Sequence, residues 1–104
     1  MYRVRRPGGG DPRRARVFVV VSRQVLIDSR YSTVVCAPVF SAFDGLATQV
    51  AVGVEEGLTQ DSAIHCDQLM SLQKSALTDF VGTLPSDAMR RLDEALRVAL
   101  AIES

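Results

Sequence analysis

Apolar and polar positions along this chain follow two periods. Through most of its length, short strand-sized apolar runs alternate with turn residues, and only the last stretch repeats at helical spacing. "YRVRRP" alternates weakly and stops at "GGGDP", a turn composition. Residues 16–22, "RVFVVVS", are β-branched and aromatic and predict a central strand. After the break "DSRYS", "TVVCAPVF" predicts a second buried strand, with Pro38 marking a bulge or an edge. "SAFDG" reads as a loop, "LATQVAV" as a strand and "GVEEGLTQD" as a polar connection. "SAIHCDQL" and "MSLQ" follow as strands, then a single helical turn at "KSAL" and a short strand at "DFVGTL".

Beyond "LPSD" the period changes. Met89, Leu92, Leu96, Ala99 and Leu100 fall on one helical stripe. Ser86 is placed to cap that helix, Asp87 to favour the positive end of its dipole, and Arg97 the negative end. The predicted fold class is mostly β (α+β), a small barrel closed by a C-terminal helix.

A chain of 104 residues is expected to form a single domain, residues 1–104. Its apolar runs are far shorter than the roughly 20 residues of a membrane helix. No apolar segment follows the first positive charges, so neither a secretory leader nor a membrane role is expected, and the expected location is the cytoplasm. Cys36 and Cys66 sit inside apolar runs without a CxxC motif. Two buried, reduced thiols is the favoured reading, with a single disulfide left open.

Charge changes the picture more than composition does. The formal net charge is zero, yet residues 1–23 carry seven arginines against Asp11 alone, and the acids dominate the remainder. Two readings stand: a local anion-binding surface, or an edge strand protected by charge.

Candidate chemistry gathers at "SAIHCDQL". Along a strand His65 and Asp67 share a face about 7 Å apart, while Ile64, Cys66 and Gln68 share the other. Imidazole titrates near neutrality and can serve as an acid, with His65 and Asp67 sharing proton transfer. The plainer alternatives are a hydrogen-bonded strand histidine and a strand-end carboxylate accepting backbone N–H bonds. Arg16 opens a buried strand after the glycine-rich turn. Its guanidinium either grips a phosphate through two parallel bonds or reaches back to solvent. One histidine and two separated cysteines supply no usual zinc set, so no metal is expected.

The order of the blocks "RRARVFVVVS", "STVVCAPVF", "LATQVAV", "DSAIHCDQLMSLQKSAL" and "LPSDAMRRLDEALRVALAI" resembles the MazF/PemK/Kid toxins of bacterial toxin–antitoxin systems. The resemblance covers almost the whole chain. It implies an SH3-like barrel of the MazF/CcdB type, usually homodimeric, that cleaves single-stranded RNA (mRNA, rRNA or tRNA) without metal or other cofactor. It implies 2′-OH attack, leaving a 2′,3′-cyclic phosphate and a 5′-OH, and a cognate MazE-like antitoxin whose acidic tail occupies the RNA groove. By position it implies catalysis by Arg16, His65 and Asp67. The residues themselves add Ser41, either a hydrogen-bond donor to the phosphate that completes the catalytic set or a plain turn serine; Arg13 and Arg14, either RNA-backbone contacts or solvated charge; and Gly9, Gly10 and Gln68 as further RNA-binding candidates, the glycines in a loop over the groove. His65 stands where some members carry arginine. Phe40 stands where threonine is frequent, and Val17 where proline follows the motif arginine. Those departures motivate an alternative on the same barrel: a toxin that binds a protein target, as CcdB binds gyrase, or a member that binds antitoxin without cutting. Against the former, the chain has no Trp and ends "AIES".

Overall fold

The structure is a computed structural model and describes residues 1–4, 16–22 and 27–101. Seven strands, β1 (Tyr2–Val4), β2 (Arg16–Val20), β3 (Thr33–Phe40), β4 (Gln49–Val52), β5 (Ser62–His65), β6 (Met70–Gln73) and β7 (Asp79–Phe80), form one sheet. Every pairing is antiparallel. Their order is β4-β5-β3-β2-β1-β7, with β6 also paired to β3, and the helix α1 (Ser86–Ala99) closes the chain. The fold class is the mostly β one expected.

β3 organises the sheet. Along one side it pairs with β2; on the other, β6 takes Thr33–Cys36 and β5 takes Val39 and Phe40. Pro38 therefore lies in a central strand, neither at a bulge nor at an edge. Val21 N donates to Val35 O at 2.9 Å, so the odd positions of β3 turn their amides toward β2. By alternation the amide position of Pro38 turns the other way, into the gap between β5 and β6, where no ladder bond is missed.

The same alternation separates two faces. Val19, Ala37, Val39, Val50, Val52 and Ile64 form the main core with Met1, Leu58, Cys66 and Leu84, covered by Ala88, Leu92 and Ala95 of α1. On the opposite face Phe18, Val34 and Cys36 make a smaller cluster with Val20, Ile27, Leu72 and Leu77 against it. Helix and sheet are also tied by Arg91, whose Nη1 donates to Ala51 O at 3.2 Å.

Three local expectations are corrected. The predicted strand through "SAIHCDQL" ends at His65, and Cys66–Gln68 forms a 3-10 turn. Cys66 N donates to Thr48 O at 2.9 Å, one last rung of the β4–β5 ladder, while along β3 the rung that would face His65 falls at Pro38, which has no N–H to give. The cap of α1 is Pro85, with no side-chain cap bond, and Ser86 is already helical. The buried stripe of α1 begins at Ala88, not Met89; Met89 and Leu100 are exposed. A small residue at that point lets the first turn sit against the sheet. The single turn at "KSAL" is present as a 3-10 turn, Lys74–Ala76.

Both thiols are free and buried. Burial pushes each up to about 11, with the Asp67 charge adding to the effect at Cys66. They are packing residues, since the reactive thiolate is scarce at neutral pH. Elsewhere the backbone crosses itself closely. Gly57 has a positive φ of 96°, and a Cβ there would lie 2.5 Å from Val81 O; a Cβ on Gly82 would lie 2.1 Å from Glu56 O. Only glycine fits either position. Among the described residues no helix is long and apolar enough to cross a membrane.

Candidate active site

The site is built by register. Val17 faces Val39 across β2 and β3, so continuing that ladder sets Arg16 opposite Phe40. On the other side of β3, Phe40 faces Ala63 of β5, and His65 lies two positions further along the same face. These side chains point away from the main core, which takes Val39 and Ile64 from the same two strands. Ala63, fully buried and small, leaves the Phe40 ring room between its two larger neighbours.

The three side chains meet. The Arg16 guanidinium carbon is 4.1 Å from the centroid of the Phe40 ring, an intimate cation–π contact. The His65 ring centroid is 4.7 Å from that of Phe40, with the planes at 76°, an edge-to-face arrangement. Arg16 is exposed, Phe40 half-buried and His65 only 8% exposed, so the group grades from solvent into the sheet. Among the described residues no carboxylate pairs with Arg16, which leaves its charge available to an anion.

His65 is chemically defined by one bond. Its Nε2 lies 3.0 Å from Ala42 O, and a carbonyl only accepts, so Nε2 carries a proton. In the neutral ring Nδ1 is then the free lone pair. His65 makes no second hydrogen bond, and no buried side-chain nitrogen or oxygen of the described residues lacks a partner. Nδ1 therefore still touches solvent. The imidazole is both the hydrogen-bonded strut that its strand position suggested and a base with one open nitrogen.

Asp67 follows on the 3-10 turn and is exposed. Its Oδ2 accepts from Thr48 Oγ1, while the backbone carbonyl of Thr48 takes Cys66 N. One residue thus fixes both the turn and its carboxylate. Turn geometry, not strand alternation, places Asp67. Gln68 is exposed on the same turn and does not share the buried side of Ile64 and Cys66.

Ser41 stands between Phe40 and Ala42. It lines a hollow of about 540 Å³ with Phe43, Val54, Glu55, Asp61 and Ser62. Those carboxylates make the hollow unsuited to a phosphate. Arg13, Arg14, Gly9 and Gly10 lie outside the described residues. Sequence reasoning missed Ala42, whose backbone carbonyl orients the imidazole, and Thr48, which holds Asp67. Neither has a sequence signal, because one acts through its backbone and the other across 19 residues of chain. Phe40 was visible only as a departure from a pattern.

Fold and site together define a class: a small antiparallel β protein with one closing helix, presenting a guanidinium and an imidazole on one sheet face. Within it, the chain belongs to the PemK-like, MazF-like toxins of type II toxin–antitoxin systems, whose family pattern matches residues 2–100. It is 30% identical over 97 residues to the endoribonuclease MazF6 of Mycobacterium tuberculosis, spanning 90% of this chain and 85% of that protein. The solved toxin MazF-mt6 of Mycobacterium tuberculosis superposes with a TM-score of 0.80 at 29% identity, over 86% of this chain and 90% of that one. A mycobacterial endoribonuclease solved in complex with its cognate antitoxin shares the fold, with a TM-score of 0.82 at 24% identity over 99% and 92% of the two chains.

Proposed function

We propose that this chain, a MazF/PemK-family toxin and an endoribonuclease, cuts single-stranded RNA by internal attack of a ribose 2′-OH on the adjacent phosphate. The observation that carries the reading is the pairing of Arg16, without an ion-pair partner among the described residues, with a solvent-touching His65 Nδ1 on one face. Nδ1 takes the 2′-OH proton as the oxygen bonds to phosphorus. Arg16 holds the phosphate and stabilises the charge that grows on its oxygens. The bond from phosphorus to the 5′ oxygen then breaks, leaving a 2′,3′-cyclic phosphate. Asp67, held by Thr48 and open to water, takes a proton from solvent and passes it to the departing oxygen, which leaves as a 5′-OH, and His65 afterwards returns its proton to solvent.

No step in this scheme calls on a metal or other cofactor. The exposed turn at Asp67 and Gln68 borders the path of the RNA. In the cell, the proposal places the protein in the cytoplasm as a homodimer, with a MazE-like antitoxin covering the same face by an acidic segment. Arg16 suits such a tail for the reason it suits a phosphate.

Incubating the purified protein with single-stranded RNA in EDTA, then mapping both ends of the products, tests the chemistry. Cyclic phosphate and 5′-OH termini are expected. Intact RNA under antitoxin-free conditions would favour the non-cutting alternative, and 5′-phosphate ends would overturn the 2′-OH route.

A further inference from the structure

Phe40 occupies a position where the family resemblance implied a threonine, and it brings no hydroxyl. What it does bring is contact with both reactive groups. Its ring lies under the Arg16 guanidinium at 4.1 Å and meets the His65 imidazole at 4.7 Å. Arg16 is exposed and, among the described residues, has no ion-pair partner to choose its rotamer. A long side chain in that situation samples many conformations, and few of them suit a phosphate. The aromatic face supplies the missing constraint: it attracts the cation broadly over its surface without competing for the N–H donors. At the other contact, the ring packs against His65 edge to face, so the imidazole is fixed by both the Ala42 carbonyl and an aromatic ring.

The backbone of Phe40 is equally well fixed. It sits at the end of β3, bonded into the ladders with β2 and β5, opposite the small Ala63. A flexible residue would transmit nothing; this one is anchored between the two strands that carry Arg16 and His65.

We infer that Phe40 is a positioning residue that holds Arg16 and His65 in one reactive arrangement and so replaces a polar helper with an aromatic one. Resting on the ribonuclease reading above, it predicts that Phe40 acts on the chemical step more than on RNA binding, because the contacts pre-set groups that act in the transition state.

The test compares Phe40→Leu, which keeps apolar volume but no ring, with Phe40→Tyr, which keeps the ring. If Phe40→Leu unfolds, Phe40→Met takes its place. The expected result is a kcat for RNA cleavage lower by about 10- to 100-fold in the ringless variant, with KM changed less than about threefold. Phe40→Tyr is expected to recover most of that loss. Combined with Arg16→Ala, the ringless change should cost less than it does alone, since part of its effect runs through Arg16 and the rest through His65. The chain's single histidine gives one set of imidazole NMR signals, which are expected to shift when the ring is removed. Parent-like kcat in the ringless variant, or a loss that simply multiplies with that of Arg16→Ala, overturns the proposal while leaving the ribonuclease reading intact. A parent protein that cuts no RNA overturns the ribonuclease reading and takes this inference with it.

Discussion

His65 combines two jobs that a single substitution can separate. Replacing it with glutamine leaves an amide nitrogen close to where the imidazole Nε2 stood, within reach of Ala42 O. The hydrogen bond, a net contribution of about 1 kcal/mol, survives. Lost are the ring contact with Phe40, about 0.5–1.5 kcal/mol, and the open lone pair of Nδ1. His65→Gln should therefore destabilise the protein by about 1 kcal/mol, a fall of roughly 4–8 °C in Tm for a domain of this size. His65→Ala also forfeits the hydrogen bond and leaves a hole at a site only 8% exposed, so about 2–4 kcal/mol is expected. On activity the two variants should agree, because both lack the base: single-turnover cleavage of an RNA oligonucleotide should slow by about 10²- to 10⁴-fold in each. Thermal denaturation and the cleavage assay on the same preparations check the dissociation. If His65→Gln cuts within about tenfold of the parent, proton transfer at Nδ1 is refuted and His65 is a strut alone.

Three other outcomes follow from the geometry. Thr48→Val keeps the backbone bond to Cys66 and removes only the hydroxyl that holds Asp67; a Tm within a few degrees and cleavage slowed about tenfold are expected, and unchanged cleavage would free Asp67 of any need for orientation. Gly82→Ala forces a Cβ against the Glu56 carbonyl, backbone on backbone, and should lower stability by about 3 kcal/mol or more; Gly45→Ala, at a positive φ of 75° with open space around it, should lower it by about 1 kcal/mol in the same denaturation series. Folded Cys36 and Cys66 stay protonated to about pH 11 whereas unfolded thiols ionise near 9.0. Their contribution is whole below that lower value and vanishes as pH rises through the higher one. Denaturation midpoints should fall over this interval by an amount on the order of 2–3 kcal/mol per thiol, and Cys66→Ala should flatten the fall.

Much of this was legible from local pattern. Strand alternation correctly separated the core side of Ile64 and Cys66 from the side of His65, and the helical period located the closing helix. It failed where a distant partner decides. The strand ends at His65 where its next rung along β3 meets Pro38, and Pro38 is tolerated because two other strands divide one side of β3 between them. The buried stripe of α1 slides to Ala88 because closeness to the sheet outweighs the larger side chain of Met89. The site was half visible for the same reason. His65 and Arg16 announced themselves by residue type, but the ring joining them depends on the registers of three strands.

Pro38 has a consequence beyond its own tolerance. Without an N–H on that side, it acts as a stop for both neighbours: β5 cannot lengthen along β3 in one direction, nor β6 in the other, because the next rung has no donor. A sheet slipping by one residue would send Phe40 inward and Val39 outward, dismantling the face that carries Arg16 and His65. The proline thus works as a registration mark. The least bondable residue of β3 keeps the alignment of the strands around it.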